Sequence, residues 1–237
     1  MQSTIGATKS TEPPRQVGCG PVGEFDSADV GSVRRAFSSA PSWRFRQAWL
    51  SEEESAFLPG EARLGWRGNS ILIFAELFDG DIFNEATALN QRAWELGDVF
   101  EIFLRPASSA GYVEFQITPD NHRLQLRYPD SDAVRVARAT KNLDSALVSE
   151  QSIQSRTWKS SDRWKVLAEI PATSAHADFT SLAGTEWQIS FGRYDYTRGH
   201  SKPVISSTSL HAAPDFHRTQ EWQKILFTTP SSELNNE

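Results

Sequence analysis

Residues 98–106, DVFEIFLRP, and the run YVEFQIT at 112–118 decide how this chain is read. In the first, Phe100, Ile102 and Leu104 alternate with Val99, Glu101 and Phe103; in the second, Glu114 and Gln116 interleave with Val113, Phe115 and Ile117. Period two marks a strand, whose successive side chains leave opposite faces. The RPASSAG segment between the runs supplies turn residues for a hairpin. With Phe100, Ile102 and Leu104 filling a core, Glu101 takes the outer face or a cleft, beside Val99 and Phe103. Asp98 and Glu101 are three positions apart and point to opposite sides of the sheet. They therefore cannot act together as the acid and base of a glycosidase, which face one bond about 5 to 9.5 Å apart. A pairing of either with Glu114 across the hairpin stays open.

Working outward, the same period recurs. Trp43, Phe45 and Trp49 alternate with Arg44, Arg46 and Ala48, and SILIFAELF (70–78) is apolar enough to be covered on both faces. HRLQLRY (122–128), AVRVARA (133–139), RWKVLAEI (163–170), EWQISFGRY (186–194) and WQKILFT (222–228) are further strand candidates, most of them separated by Gly- and Pro-containing loops. The pattern predicts an all-β fold, an antiparallel β-sandwich of jelly-roll or immunoglobulin-like type. One or two short helices are expected, at NEATALNQRA (84–93) and within PATSAHADFTSL (171–182). Residues 79–97 form a connection far longer than the usual ~2 to 5 residues of such loops. Residues 1–20 and 230–237 have little to bury and are expected to be disordered or loose, leaving 21–229 as a single domain.

Composition removes several classes. A formal charge of −6 with no Lys/Arg block argues against a nucleic-acid partner. There is no apolar run of the length a membrane span or a signal peptide needs, so no membrane partner is expected and the chain reads as cytoplasmic by default. Oligomeric state is not legible. Cys19 is the single cysteine and Met1 the single methionine, which removes a disulfide framework, a thiolate zinc site and a methionine haem ligand. No nucleophile elbow, phosphate loop or dinucleotide fingerprint is present. DGDIFNE (79–85) offers Asp79, Asp81, Asn84 and Glu85 as hard oxygen ligands but lacks the glycine and closing glutamate of an EF-hand loop. No cofactor is expected, calcium being the ion this segment would hold. His211, Asp215 and His217 fall in a stretch expected to be a surface loop.

Taken in order, Asp79 and Asp81 after an apolar strand, Trp94 leading into GDVFEIFL, YVEFQITP, RWKVLAEIP, GTEWQISFGRYDY and FHRTQEWQKILF resemble the family 9 carbohydrate-binding modules, β-sandwiches related to the DOMON domains. The resemblance runs over roughly residues 43–228. It implies a non-catalytic module that grips the end of a glycan between two tryptophans, with polar side chains fixing the hydroxyls, in the context of carbohydrate catabolism. Trp94 matches one tryptophan and Glu101 a carboxylate of the next strand. Near VISSTSLHAAPDF, where the second tryptophan should lie, this chain has Leu210, His211 and Phe216.

The expected site therefore comprises Trp94 as a stacking platform, Glu101, Glu114 and Gln116 as a polar strand patch, and Arg193 and Tyr194 from the GRYDYTRGH stretch. Each has a structural alternative. Trp94 could anchor the long loop in the core, and Arg193 could pair with Asp98 or Glu101. The expected ligand is a saccharide. A glycoside hydrolase drawing its carboxylates from different strands, and a scaffold sandwich without a sugar site, are the competing functions.

Overall fold

The computed structural model describes residues 16–149, 152–175, 179 and 181–229. Residues 1–15 and 230–237, the larger part of the two stretches expected to be loose, lie outside these. In chain order the elements are β1 (Val17–Cys19), α1 (Val30–Ala36), β2 (Ser42–Arg44), β3 (Gly60–Arg67), β4 (Ser70–Phe78), β5 (Val99–Pro106), β6 (Tyr112–Ile117), β7 (Arg123–Tyr128), α2 (Ser131–Thr140), β8 (Gln154–Lys159), β9 (Arg163–Pro171), β10 (Glu186–Asp195), β11 (Val204–Ser207) and β12 (Gln223–Phe227).

These strands form two sheets, as the alternating runs predict. One is ordered β1-β12-β10-β5-β6-β7, with β11 also paired to β10; the other is β2-β3-β4-β9-β8. Between them lies the main core. Phe100, Ile102, Leu104, Val113, Phe115 and Phe191 come from the first sheet, and Ile71, Ile73, Trp164 and Val166 from the second. Each such side chain contributes about 1.5 to 3 kcal/mol by leaving water. Among the described residues every strand pair is antiparallel except β1 with β12. Val17–Cys19 thus joins the sheet although it falls in the stretch expected to be disordered.

The first sheet has a second apolar layer on its outer side. Phe103, Tyr112, Leu124, Leu126 and Tyr128 pack there against Val134 and Ala137 of α2 and against Phe216 and Trp222. This layer makes the site, because it converts the outer face of β5 and β6 from a solvated surface into a covered one.

Two expectations are corrected. AVRVARA is not a strand; it lies within α2. The Asp130 carboxylate accepts from Ala133 N at 2.8 Å and caps the first turn. Val134 and Ala137, three apart, form the buried side, while Val136 is 60% exposed. The strand-like alternation of valines was the weaker of two periods in the same segment. NEATALNQRA is not a helix. Its side chains hold the backbone N–H groups that a helix would need: Asn84 Oδ1 accepts from Ala86 N, and Gln91 Oε1 from Thr87 N and Ala88 N. Only a single turn, Ala93–Glu95, is helical there, of 3-10 type. In 171–182 a similar turn covers Ala172–Ser174, and residues 176–178 and 180 lie outside the described residues.

Candidate functional site

Register on the first sheet fixes which side chains meet. Glu101 stands opposite Gln116 on β6 and opposite Gly192 on β10, and Glu114 stands opposite Phe103. All of these project to the outer side, under the second layer. Glu101 and Glu114 are each 3% exposed and Gln116 is 1% exposed. Above them is a cavity of ≈ 180 Å³ lined by Trp94, Glu101, Glu114, Gln116, Leu126, Tyr128, Val134, Arg138, Leu143, Tyr194, Ile205, Pro214, Asp215, Phe216 and His217. Trp94, Glu101, Glu114, Gln116 and Tyr194 are thus brought together. Arg193 is not. A larger open groove of ≈ 680 Å³ runs past Ser109, Arg127 and Ser145 and contains none of the candidate residues.

Gln116 organises the floor. Its Nε2 donates to Glu101 Oε1 and to Glu114 Oε1, each at 2.7 Å, and its Oε1 has no partner. Among the described residues no Lys or Arg nitrogen lies within 4.0 Å of either carboxyl; Glu114 Oε2 is 3.7 Å from His217 Nε2. Burial, followed by the charge of Glu114, raises the Glu101 carboxyl well above the usual carboxylate range. Burial also pushes Glu114 up to about 7, against the lowering effect of the Gln116 hydrogen bond. Burial and then Arg138 push His217 down to about 3, so this imidazole is neutral near pH 7; its Nδ1 is 2.6 Å from the Tyr112 hydroxyl. Arg138 on α2 donates to Asp215 at 3.0 Å at the edge of the cavity. Gly192 is required beneath Glu101: a Cβ there would meet the Phe216 ring at 2.7 and 2.8 Å and Glu101 Oε2 at 3.0 Å.

The long 79–97 connection positions Trp94. Gly97 has φ +142°, and a Cβ on it would lie 2.5 Å from Phe83 O, so the loop can cross itself only at a glycine. Asp98, at the strand start, ties the crossing down: its carboxylate accepts from Phe83 N at 2.7 Å and Tyr196 N at 2.8 Å. Asn84 Nδ2 donates to Ala93 O and Asp98 O, and the Tyr196 hydroxyl donates to Trp94 O at 2.7 Å. Trp94 is held half-buried, packed against the outer layer and lining the cavity.

Arg193 faces the other way. It stands opposite Phe100 and continues the inward row of Trp187, Ile189 and Phe191. Its guanidinium is buried, donates to Leu58 O and Phe78 O, and pairs with Asp195 at 2.9 Å and Asp79 at 3.7 Å. Its ionic partners are therefore Asp195 and Asp79, not Asp98 or Glu101. Asp79, Asp98 and Asp195 each offer an oxygen, all within 4.8 Å of one another. These are the described residues whose oxygens could converge on a divalent ion, and Arg193 already supplies positive charge there. Of the other residues in DGDIFNE, Asp81 pairs with Arg198.

Several cavity residues had no part in the expected site: Tyr128, Arg138, Asp215, Phe216 and His217. Of the three side chains standing where a second tryptophan was sought, Phe216 lines the cavity, His211 is buried on Glu221, and Leu210 is 68% exposed.

Neither a family model nor a curated protein matches the chain. Solved structures do. A candidate carbohydrate-binding protein from Bacteroides uniformis ATCC 8492 superposes with a TM-score of 0.68 at 14% identity, covering 90% of this chain and 99% of that one. A family 9 carbohydrate-binding module from Caldicellulosiruptor kristjanssonii in complex with cellotriose gives 0.62 at 13% identity, covering 93% of this chain and 97% of that one. A structure of such a module from the same organism with glucose gives 0.63 at 12% identity, with 93% and 100% covered. At these identities the likeness establishes the fold, and the chain is similar over nearly its whole length to sandwiches of this carbohydrate-binding kind.

Proposed function

We propose that this protein binds a saccharide non-covalently in the outer-face cavity, with Trp94 as the stacking surface and Glu101, Glu114, Gln116 and Tyr194 as the polar and aromatic contacts. The observation that carries this reading is the meeting of a half-buried indole with three buried polar side chains at one covered cavity. Sugar rings present C–H faces to an indole and hydroxyls to carboxyls and amides, so the lining suits one ring. The Caldicellulosiruptor kristjanssonii modules, with cellotriose and glucose bound, supply the fold-level support. Phe216 stands as the second aromatic surface, and Arg193 serves the core.

No reaction is assigned. Both carboxyls stand on the same sheet face, and the Gln116 amide fills the space between them, where a hydrolase would need the scissile bond. Affinity for a single ring should be modest, on the order of micromolar to millimolar. Calorimetric titration with a panel of mono- and disaccharides is expected to give at least one binder, weakened about tenfold or more by Trp94→Ala. Absence of any binder, or a binder indifferent to that substitution, would overturn the proposal.

A further inference from the structure

The floor of the cavity is unusual in what it lacks. Glu101 and Glu114, each 3% exposed, have no Lys or Arg within 4.0 Å among the described residues, and the one amide donor between them is already shared. Gln116 Oε1, on a side chain 1% exposed and lining the same cavity, has no partner. Buried carboxylates are normally paired, and buried carbonyl oxygens normally accept a hydrogen bond. Here two carboxyls share a single amide donor, and the amide's own oxygen is left without one. A hydroxyl would bring lone pairs as well as its proton, whereas an ammonium brings three donors, a positive charge and no acceptor. Aromatic rings from Trp94, Tyr128, Tyr194 and Phe216 surround the same space, and their faces also favour a cation.

We infer that the cavity takes an amine-bearing saccharide, with its ammonium seated among the Glu101 and Glu114 carboxylates and the Gln116 amide oxygen. This rests on the saccharide reading above and narrows it to amino sugars. Arg138 does not fill the role, because it pairs with Asp215. His217 does not either, being neutral near pH 7. Burial is the first cause of the raised proton affinity of both glutamates, with the charge of Glu114 adding to it at Glu101 and the charge of Arg138 opposing it at both. The groups facing them are Tyr112 from β6, Tyr128 from β7, Arg138 from α2, Tyr194 from β10, and Asp215 and His217 from the segment before β12. Arg138 is the permanent cation among them, and its guanidinium donates to Asp215 rather than to either glutamate.

The test is calorimetric titration of the full chain at pH 7, in an amine-free buffer, with matched pairs: glucosamine and glucose, galactosamine and galactose, mannosamine and mannose. N-acetylglucosamine and ethanolamine serve as further probes. At least one amino sugar is expected to bind at least about tenfold more tightly than its neutral partner and than N-acetylglucosamine. Glu101→Gln and Glu114→Gln together should reduce that ratio to near one in protein whose circular dichroism is unchanged. The unaltered chain gives an independent reading, since the ammonium competes with protons for the two carboxyls and amino-sugar affinity should fall several-fold from pH 7 to pH 5. Neutral sugars binding as tightly as their amino partners would overturn the inference and leave the saccharide proposal standing. Ethanolamine binding with no response to any sugar would overturn both, showing a cation site without sugar recognition. Silence from every probe would also overturn both.

Discussion

Gly192 shows how little room the site leaves. Its missing Cβ makes space for the Phe216 ring above and for Glu101 Oε2 alongside. Gly192→Ala should therefore push Phe216 into the cavity or Glu101 off Gln116, at a cost of about 1 to 3 kcal/mol typical of overpacking. Urea unfolding should show the loss, and ligand titration a weaker response. Glu114 makes a pH-dependent prediction. Its folded-state carboxyl, at about 7, keeps a proton to higher pH than the unfolded chain, whose ordinary value is 4.5. Its stabilising contribution is complete below the lower value and is lost as pH rises through the upper one. Glu114→Gln should thus match the parent at pH 4.5 and exceed it at pH 8, by on the order of 2 kcal/mol for a buried carboxyl of this kind. Thermal melts at the two pH values check this. The outward face of Glu101 was legible in the sequence, because Phe100, Ile102 and Leu104 claim the other parity. The same rule held the answer for Arg193, which shares parity with Trp187, Ile189 and Phe191 and so follows them inward. What no parity rule conveys is that a second layer covers the outer face and buries Glu101, Glu114 and Gln116.

That covering layer depends on α2. Its segment carried two competing periods, and the deciding signal was Asp130, three residues before Ala133, whose N–H it accepts. Once helical, the segment lays Val134 and Ala137 on the outer layer and brings Arg138 to the cavity. Asp130→Ala should cost about 1 kcal/mol, the usual value of an N-cap, measured by chemical denaturation. Because α2 carries Val134 and Arg138 to the cavity, ligand affinity should fall in the same variant while the core between the sheets stays intact. The 79–97 connection failed as a helix for a similar local reason. Asn84 and Gln91 satisfy nearby amides themselves, and Asn90 adopts a φ of +64°. Sequence composition favoured a helix there, and side-chain hydrogen bonds decided otherwise.

At the scale of the molecule, the sandwich was readable because most of its strands alternate strictly and fall between turn residues. The strand order was not. It depends on pairings between segments far apart in the chain, such as β5 with β10 and β4 with β9, which no local pattern encodes. Nor could three residues, Val-Gly-Cys, announce the parallel pairing of β1 with β12. Yet that pairing has a practical consequence. Val17 and Ile225 stand together on the strands at one edge of the sheet, whereas the cavity sits over β5, β6 and the far half of β10. A linker joined beside β1, the edge strand, would hold the protein by its rim, with the proposed binding face turned to the medium. The fold therefore lends itself to oriented immobilisation on a sensor chip or an affinity matrix.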